Sequence, residues 1–230
     1  MSEPTRFPVP GFLRTREGSE QLRANELEWA KRQAREQREQ RLNHRARRLG
    51  SAAQLSLRPA VMSALVRDEL SATLALQVTK RWAVNANSLP YLVLSGGVGC
   101  GKTVAAAWWL VEHEGVWVRA FRLAQVFAGG WSIEREEQDR LIECRHLVVD
   151  DLGTELEPSR MTPVLAEILE CRRAHGMRTL ITTNLEREAL AQRYQPFERI
   201  KSRLSDGVQW AGCGSQDLRA AAADASGAKS

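Results

Sequence analysis

Between residues 91 and 211 the chain alternates short, mostly apolar runs with longer segments of mixed character. The runs are Tyr91–Leu94, Val116–Phe121, His146–Val149, Thr179–Thr183 and Gly207–Ala211. Their length is that of strands, and little polar alternation interrupts them, so they predict strands buried on both faces. The segments between carry helical patterns: Val104–Val111, the polar stretch Ile133–Cys144, Ser159–Ala174, Glu186–Tyr194 and Pro196–Ser205. This β-α repetition predicts an α/β domain with a parallel sheet and helices on both faces. Trp108 and Trp109, on the first of these helices, are expected in the core, and Trp131, after two glycines, on an exposed loop.

The N-terminal part follows a different pattern. Met1–Gly11 holds three prolines and reads as an extended tail. Residues 19–49 are rich in Glu, Arg and Gln, lack Pro and Gly, and predict a long helix. Its few apolar residues, Leu22, Leu27, Trp29, Leu42 and Leu49, are too few for a core, so such a helix is solvent-bridging or awaits a partner, with Leu27 and Trp29 as anchors. Gly50-Ser51-Ala52 reads as a joint, and 54–87 as helix leading into the sheet domain. The expected division is a basic helical arm at 1–50, the α/β domain at 51–219, and a disordered Ala-rich tail at 220–230.

Charge sharpens that division. Of the net +5, residues 1–50 contribute 12 Lys/Arg against 7 Asp/Glu, while the remainder is balanced at 21 against 21. A basic arm suits an acidic partner surface or nucleic acid, and is equally compatible with a solvated Arg-rich helix. The four cysteines, Cys100, Cys144, Cys171 and Cys213, are scattered singly and suggest neither a zinc site nor a disulfide framework. No apolar run reaches membrane-spanning length and none resembles a signal peptide, so a cytoplasmic protein without membrane association is expected.

The densest chemistry lies at Ser95-Gly-Gly-Val-Gly-Cys-Gly-Lys-Thr103. Gly96, Gly97, Val98, Gly99, Cys100, Gly101, Lys102 and Thr103 form a complete phosphate-binding loop, set between a predicted strand and a predicted helix. The glycines let backbone N–H groups turn inward on phosphates, Lys102 reaches the β- and γ-phosphates, and the Thr103 hydroxyl is a Mg²⁺ ligand. Cys100, inside the loop, is read as a small tolerated side chain, a redox switch being the other reading.

Three further segments bear on what the nucleotide is for. His146-Leu-Val-Val-Asp-Asp-Leu-Gly153 is an apolar strand ending in two acids. Asp150 would hold Mg²⁺ and Asp151 would orient or deprotonate a water, although a carboxylate pair at a strand end also suits a turn or helix cap. Leu180-Ile-Thr-Thr-Asn-Leu185 puts Asn184 at a strand's C-terminal end, where open parallel sheets bind ligands; Asn is also an ordinary turn former. Glu198-Arg-Ile-Lys-Ser-Arg-Leu204 sets Arg199 and Arg203 four apart on one helix face, a spacing that by itself favours a salt-bridged surface helix.

The order phosphate loop, Asp-Asp-Leu-Gly-x-Glu155, Thr-Thr-Asn, then Arg-x-x-Ser-Arg-Leu resembles the AAA+ ATPases, in particular the group of DnaC and DnaI helicase loaders, the initiator DnaA and the IstB transposition helpers. The resemblance covers about 54–219. It implies a P-loop fold of the AAA+/ASCE type without a C-terminal lid domain, and Mg²⁺-dependent ATP hydrolysis. It implies Arg203 as a finger acting on a neighbouring subunit's nucleotide, with Arg199 close by, and hence a homo-oligomer in the ATP-bound state. For partners it implies a replicative helicase held by the N-terminal arm and single-stranded DNA or, in the transposition reading, a transposase and duplex DNA. Arg219 matches that group's C-terminal ending only loosely and receives no role. The zinc-binding cysteines of the DnaI type are missing from the N-terminal region.

Overall fold

A computed structural model describes residues 16–51, 57–126, 133–155, 158–194 and 207–218. Five strands, β1 (Tyr91–Ser95), β2 (Val116–Arg119), β3 (His146–Leu152), β4 (Arg178–Thr183) and β5 (Val208–Gly212), form one sheet in the order β2-β3-β4-β1-β5. Every pairing is parallel. Strands β1 and β4 lie side by side although two strands separate them in sequence, and the crevice outside their C-terminal ends is where open α/β sheets place ligands.

The strands are apolar throughout because both faces are covered. Tyr91, Val93, Leu147, Val149 and Ile181 enter one core, built with Leu123, Leu141, Leu165, Ile168, Leu169 and Leu190. Those partners come from α5 (Ala120–Val126), α6 (Ile133–Glu143), α7 (Pro158–Ala174) and α8 (Arg187–Arg193). Leu92, Leu94, Val148 and Leu180, the alternate residues, enter a second core with Leu65, Leu76, Trp82 and Trp109. These belong to α2 (Pro59–Arg67), α3 (Leu74–Val84) and α4 (Lys102–Glu112). The period-two alternation of a strand is thus spent on two apolar layers rather than on one layer and water. Trp108 and Trp109 are buried in the second core, as expected from their place on α4.

Three expectations are corrected. The segment 54–87 is not one helix among its described residues: Asp68 closes α2 in the left-handed conformation, and Thr73 starts α3 by accepting the Leu76 N–H on its side chain. The strand expected at Val116–Phe121 ends at Arg119, because Ala120 and Phe121 already belong to α5. The joint at Gly50-Ser51 is helical, since α1 runs Arg16–Ser51. The helix expected at 196–205 and the loop residue Trp131 lie outside the described residues.

By contacts the chain divides into two compact units, Met1–His44 and Arg45–Ser230. In the first, α1 exposes Leu27 and Trp29. In the second, the last turns of α1 join the sheet domain. Leu49 is buried, Arg45 donates from Nε and Nη2 to the Leu65 carbonyl at 3.1 and 2.6 Å, and Arg48 donates to the Val111 and Glu112 carbonyls at 3.1 and 2.6 Å. These carbonyls close the C-terminal ends of α2 and α4, where backbone acceptors lack partners within their own helices. No helix among the described residues is long and apolar enough to cross a membrane.

Candidate functional site

The phosphate loop runs from the end of β1 into α4. Gly101 is the N-cap of α4 at φ 94°, a left-handed conformation that a β-carbon disfavours and glycine adopts freely. The first N–H groups of α4 are consequently unpaired within the helix and available to an anion. Lys102, the first residue of α4, is nearly fully buried, and its Nζ donates to the Gly96 and Gly97 carbonyls at 2.8 Å each and to Asn184 Oδ1 at 2.9 Å. The ammonium is therefore satisfied by the loop itself and by Asn184, the residue that follows β4.

Two acids reach the site from β3. Adjacent residues of a regular strand point to opposite faces, yet Asp150 and Asp151 both line the same cavity. The pairing of β3 with β4 shifts register between Val149 and Leu152, and Asp151 has φ 58°. A bulge of this kind re-aims side chains, and a non-glycine residue in the left-handed region is a strained arrangement typical of functional positions. Thr182 of β4 fastens it: its hydroxyl donates to Asp150 Oδ1 at 2.6 Å and accepts the Asp151 N–H at 3.0 Å.

Asp150 is also bonded by the Thr103 hydroxyl at 3.3 Å. Burial pushes its carboxyl up to about 6, and the neighbouring Asp151 charge acts in the same direction. The hydrogen bonds from Thr182 and Thr103 and the charge of Arg119 oppose the rise. Arg119, at the end of β2 and directly opposite Asp150 in register, lines the cavity as well.

The cavity, about 680 Å³, extends from Lys102, Thr103, Asp150, Asp151 and Asn184 to an apolar wall of Leu57, Ala60, Val61, Ala64, Leu70 and Leu218. Arg58, Glu69 and Thr73 stand at this wall. The lining thus combines groups suited to anions and oxygen-ligated cations with apolar side chains.

Behind the acids, Glu155 is buried and organises the turn that follows β3. It accepts the Gly153 N–H at 2.9 Å and Arg193 Nε at 3.2 Å, and the Tyr194 hydroxyl bonds to the same carboxylate. Burial, followed by the bond and charge of Glu155, pushes the Tyr194 phenol up, so it remains a donor.

The structure therefore gathers Lys102, Thr103, Asp150, Asp151 and Asn184 around one cavity, with Gly96–Gly101 forming the loop beside it. Arg199, Arg203 and Arg219 lie outside the described residues. Sequence reasoning assigned no part to Thr182 or Arg119. The polar pair Thr182-Thr183 at the end of an apolar strand was the signal for the first. A lone arginine closing an otherwise apolar strand was the signal for the second.

A phosphate loop after β1, acids on β3 and a polar end to β4, in the order β2-β3-β4-β1-β5, define a P-loop α/β fold. Among solved structures the chain is similar to DnaI, with TM-score 0.51 and 20% identity over 70% of this chain and 89% of that one. It is similar to the AMPPCP-bound DnaA of Aquifex aeolicus, with TM-score 0.52 and 19% identity over 69% of this chain and 51% of that one. It is also similar to DnaA bound to AMPPCP and single-stranded DNA, with TM-score 0.53, 17% identity and the same two coverages. The chain thus spans about half the length of these DnaA chains. At such identities the likeness is one of fold, and at that level the resemblance to DnaI and DnaA holds. No protein-family model matches the sequence, and no curated protein matches it.

Proposed function

We propose that this protein binds and hydrolyses ATP as an AAA+ protein of DNA replication, of the DnaC-like helicase-loader kind. The observation that carries the reading is the convergence of Lys102, Thr103, Asp150, Asp151 and Asn184 on one cavity with an apolar wall. The likeness of fold to DnaI and to AMPPCP-bound DnaA supports it.

The residues fit a nucleotide and its metal. The donors beside the loop, the Thr103 hydroxyl and the Asp150 carboxylate, are hard oxygens suited to Mg²⁺, and two protein ligands leave room for phosphate oxygens and water. A bound Mg²⁺ would neutralise charge on the phosphates during transfer. Lys102 exchanges its loop carbonyls for phosphate oxygens, and the amides of Val98–Thr103 hold the chain of phosphates. Asp151 takes a proton from, or orients, the attacking water, and Asn184, released from Lys102, places it. Arg203 of a neighbouring subunit supplies the last positive charge, which makes the ATP-bound form a homo-oligomer. The apolar wall receives the base.

The partner is a replicative helicase, gripped through the exposed Leu27 and Trp29 of the arm, with single-stranded DNA as the track and the cytoplasm as the compartment. Co-elution of the full chain with its host's replicative helicase, in ATP and in ADP, tests this. A complex that residues 1–50 are required for is the expected result. No complex in either nucleotide, with the helicase intact, removes the loader assignment.

The confinement of the basic excess to residues 1–50 favours a second reading, an IstB-like transposition helper whose arm binds duplex DNA and recruits a transposase. An arm that neutralises several phosphates gives steeply salt-dependent duplex binding. Salt-insensitive or absent binding counts against it.

A further inference from the structure

The chain after β5 continues alongside the phosphate loop, in the same direction. The Cys213 N–H donates to the Ser95 carbonyl at 2.6 Å, the Gly97 N–H to the Gly214 carbonyl at 2.9 Å, and the Leu218 N–H to the Gly99 carbonyl at 3.2 Å. The parallel register pairs Leu94 with Ala211 and Ser95 with Gly212, so Cys213 follows one step on, beside Gly96. By alternation it faces the same side as Ala211, and both belong to the core that holds Leu92, Leu94 and Cys100.

Gly96 lets the two segments approach closely. A β-carbon on it would meet the Gly214 carbonyl oxygen at 2.6 Å, the Gly214 nitrogen, bonded to the Cys213 carbonyl carbon, at 3.3 Å, and the Cys100 sulfur at 3.4 Å. The thiol of Cys100 thus lies across an absent side chain from the Cys213–Gly214 peptide. Both residues are buried and both are free thiols. Lys102 Nζ stands 3.5 Å from the Cys100 sulfur, so a thiolate formed there has a cation beside it. Burial, with the Cys100 charge adding, pushes the Cys213 thiol up to about 11.

We propose that Cys100 and Cys213 form a disulfide that ties the phosphate loop to the segment after β5 and closes it to nucleotide. A peroxide is the oxidant. The Cys100 thiolate attacks a peroxide oxygen, the O–O bond breaks, and Cys100 becomes a sulfenic acid, with one water leaving when hydrogen peroxide is used. The Cys213 thiol then displaces the hydroxyl of the sulfenic acid, which departs as water, and the S–S bond forms. Two thiols are oxidised and one peroxide is reduced. The bond fixes Cys100, whose backbone belongs to the cradle, so the loop no longer adjusts around phosphates.

The closure deepens the proposed nucleotide site and rests on that reading. The test treats the reduced full chain with hydrogen peroxide, maps its peptides by mass spectrometry, and titrates a fluorescent ATP analogue before and after. The expected result is a Cys100–Cys213 linked peptide pair lighter by two hydrogens and a rise of at least tenfold in Kd, reversed by dithiothreitol. Cys213→Ser should bind the analogue as the reduced wild type does and keep that affinity in peroxide. Peptides showing no such link in folded protein overturn the proposal, as does a link without a change in Kd. Reduced protein that binds no nucleotide overturns the ATP reading and the closure with it, while the mass alone still judges the link.

Discussion

Thr182 holds Asp150 through a 2.6 Å hydrogen bond from its hydroxyl, and the same oxygen receives the Asp151 N–H, so one side chain sets both acids. Thr182 is fully buried in the sheet, so valine replaces it with little change of shape. A hydrogen bond to a charged group contributes about 1.5–3 kcal/mol. Thr182→Val should therefore lower ATP turnover by about 10- to 100-fold while nucleotide affinity changes little. Single-turnover hydrolysis beside equilibrium binding measures the split. Unchanged turnover would show that Thr182 does not position the acids.

Asp150 makes stability depend on pH in an unusual direction. Its carboxyl sits at about 6 in the fold against an ordinary 3.8, so the native state holds the proton more tightly than the unfolded chain. Below about pH 4 the group is protonated in both states and contributes nothing. As pH rises from about 4 to 6 the unfolded chain ionises while the buried acid keeps its proton, so the nucleotide-free protein loses stability, by on the order of 2–3 kcal/mol in all, and the loss is complete above about pH 6. Asp150→Asn should recover this at pH 7–8, show no gain below pH 4, and lose Mg²⁺-dependent turnover. Denaturant melts across pH decide it. A variant no more stable than the wild type at pH 7.5 would remove the buried-charge account.

The ammonium of Lys102 is held by two carbonyls and Asn184, and among the described residues no other lysine lines the cavity. Lys102→Ala should weaken ATP binding by at least a hundredfold. Arg203→Ala should spare binding and cut turnover. If Arg203 acts between subunits, mixing Arg203→Ala with Asp151→Asn chains rebuilds some interfaces with both groups intact, and part of the turnover returns. No recovery, under conditions where mixed assemblies are demonstrated, would exclude action between subunits.

Glu155 is a structural test of the same site. Its carboxylate is almost wholly buried while Arg193 remains about 30% exposed, so removing the acid leaves Tyr194 and the Gly153 N–H without an acceptor inside the fold. Glu155→Ala should cost about 2–4 kcal/mol, read as a lower urea midpoint with unchanged slope. A loss below 0.5 kcal/mol would show that the turn after β3 does not depend on it.

Much of this was legible in the chain. Gly96–Thr103 spells its loop because only glycine there permits the backbone turns, and Asp150, Asp151 and Asn184 stand at the ends of apolar runs that cannot be anything but buried strands. The period of each segment determined its helix or strand, and the parallel sheet followed from their alternation. The sequence could not show that Asp150 and Asp151 face the same way, because that depends on a register shift against β4 and a left-handed residue. Nor could it show that Thr182 and Arg119 meet Asp150, because strand order decides which chain ends become neighbours. Cys100 and Cys213, 113 positions apart, looked unrelated until β5 paired with β1. Local chemistry is written in consecutive residues and can be read there. Proximity between distant segments is decided by how the sheet buries both its faces, and only the tertiary structure holds that.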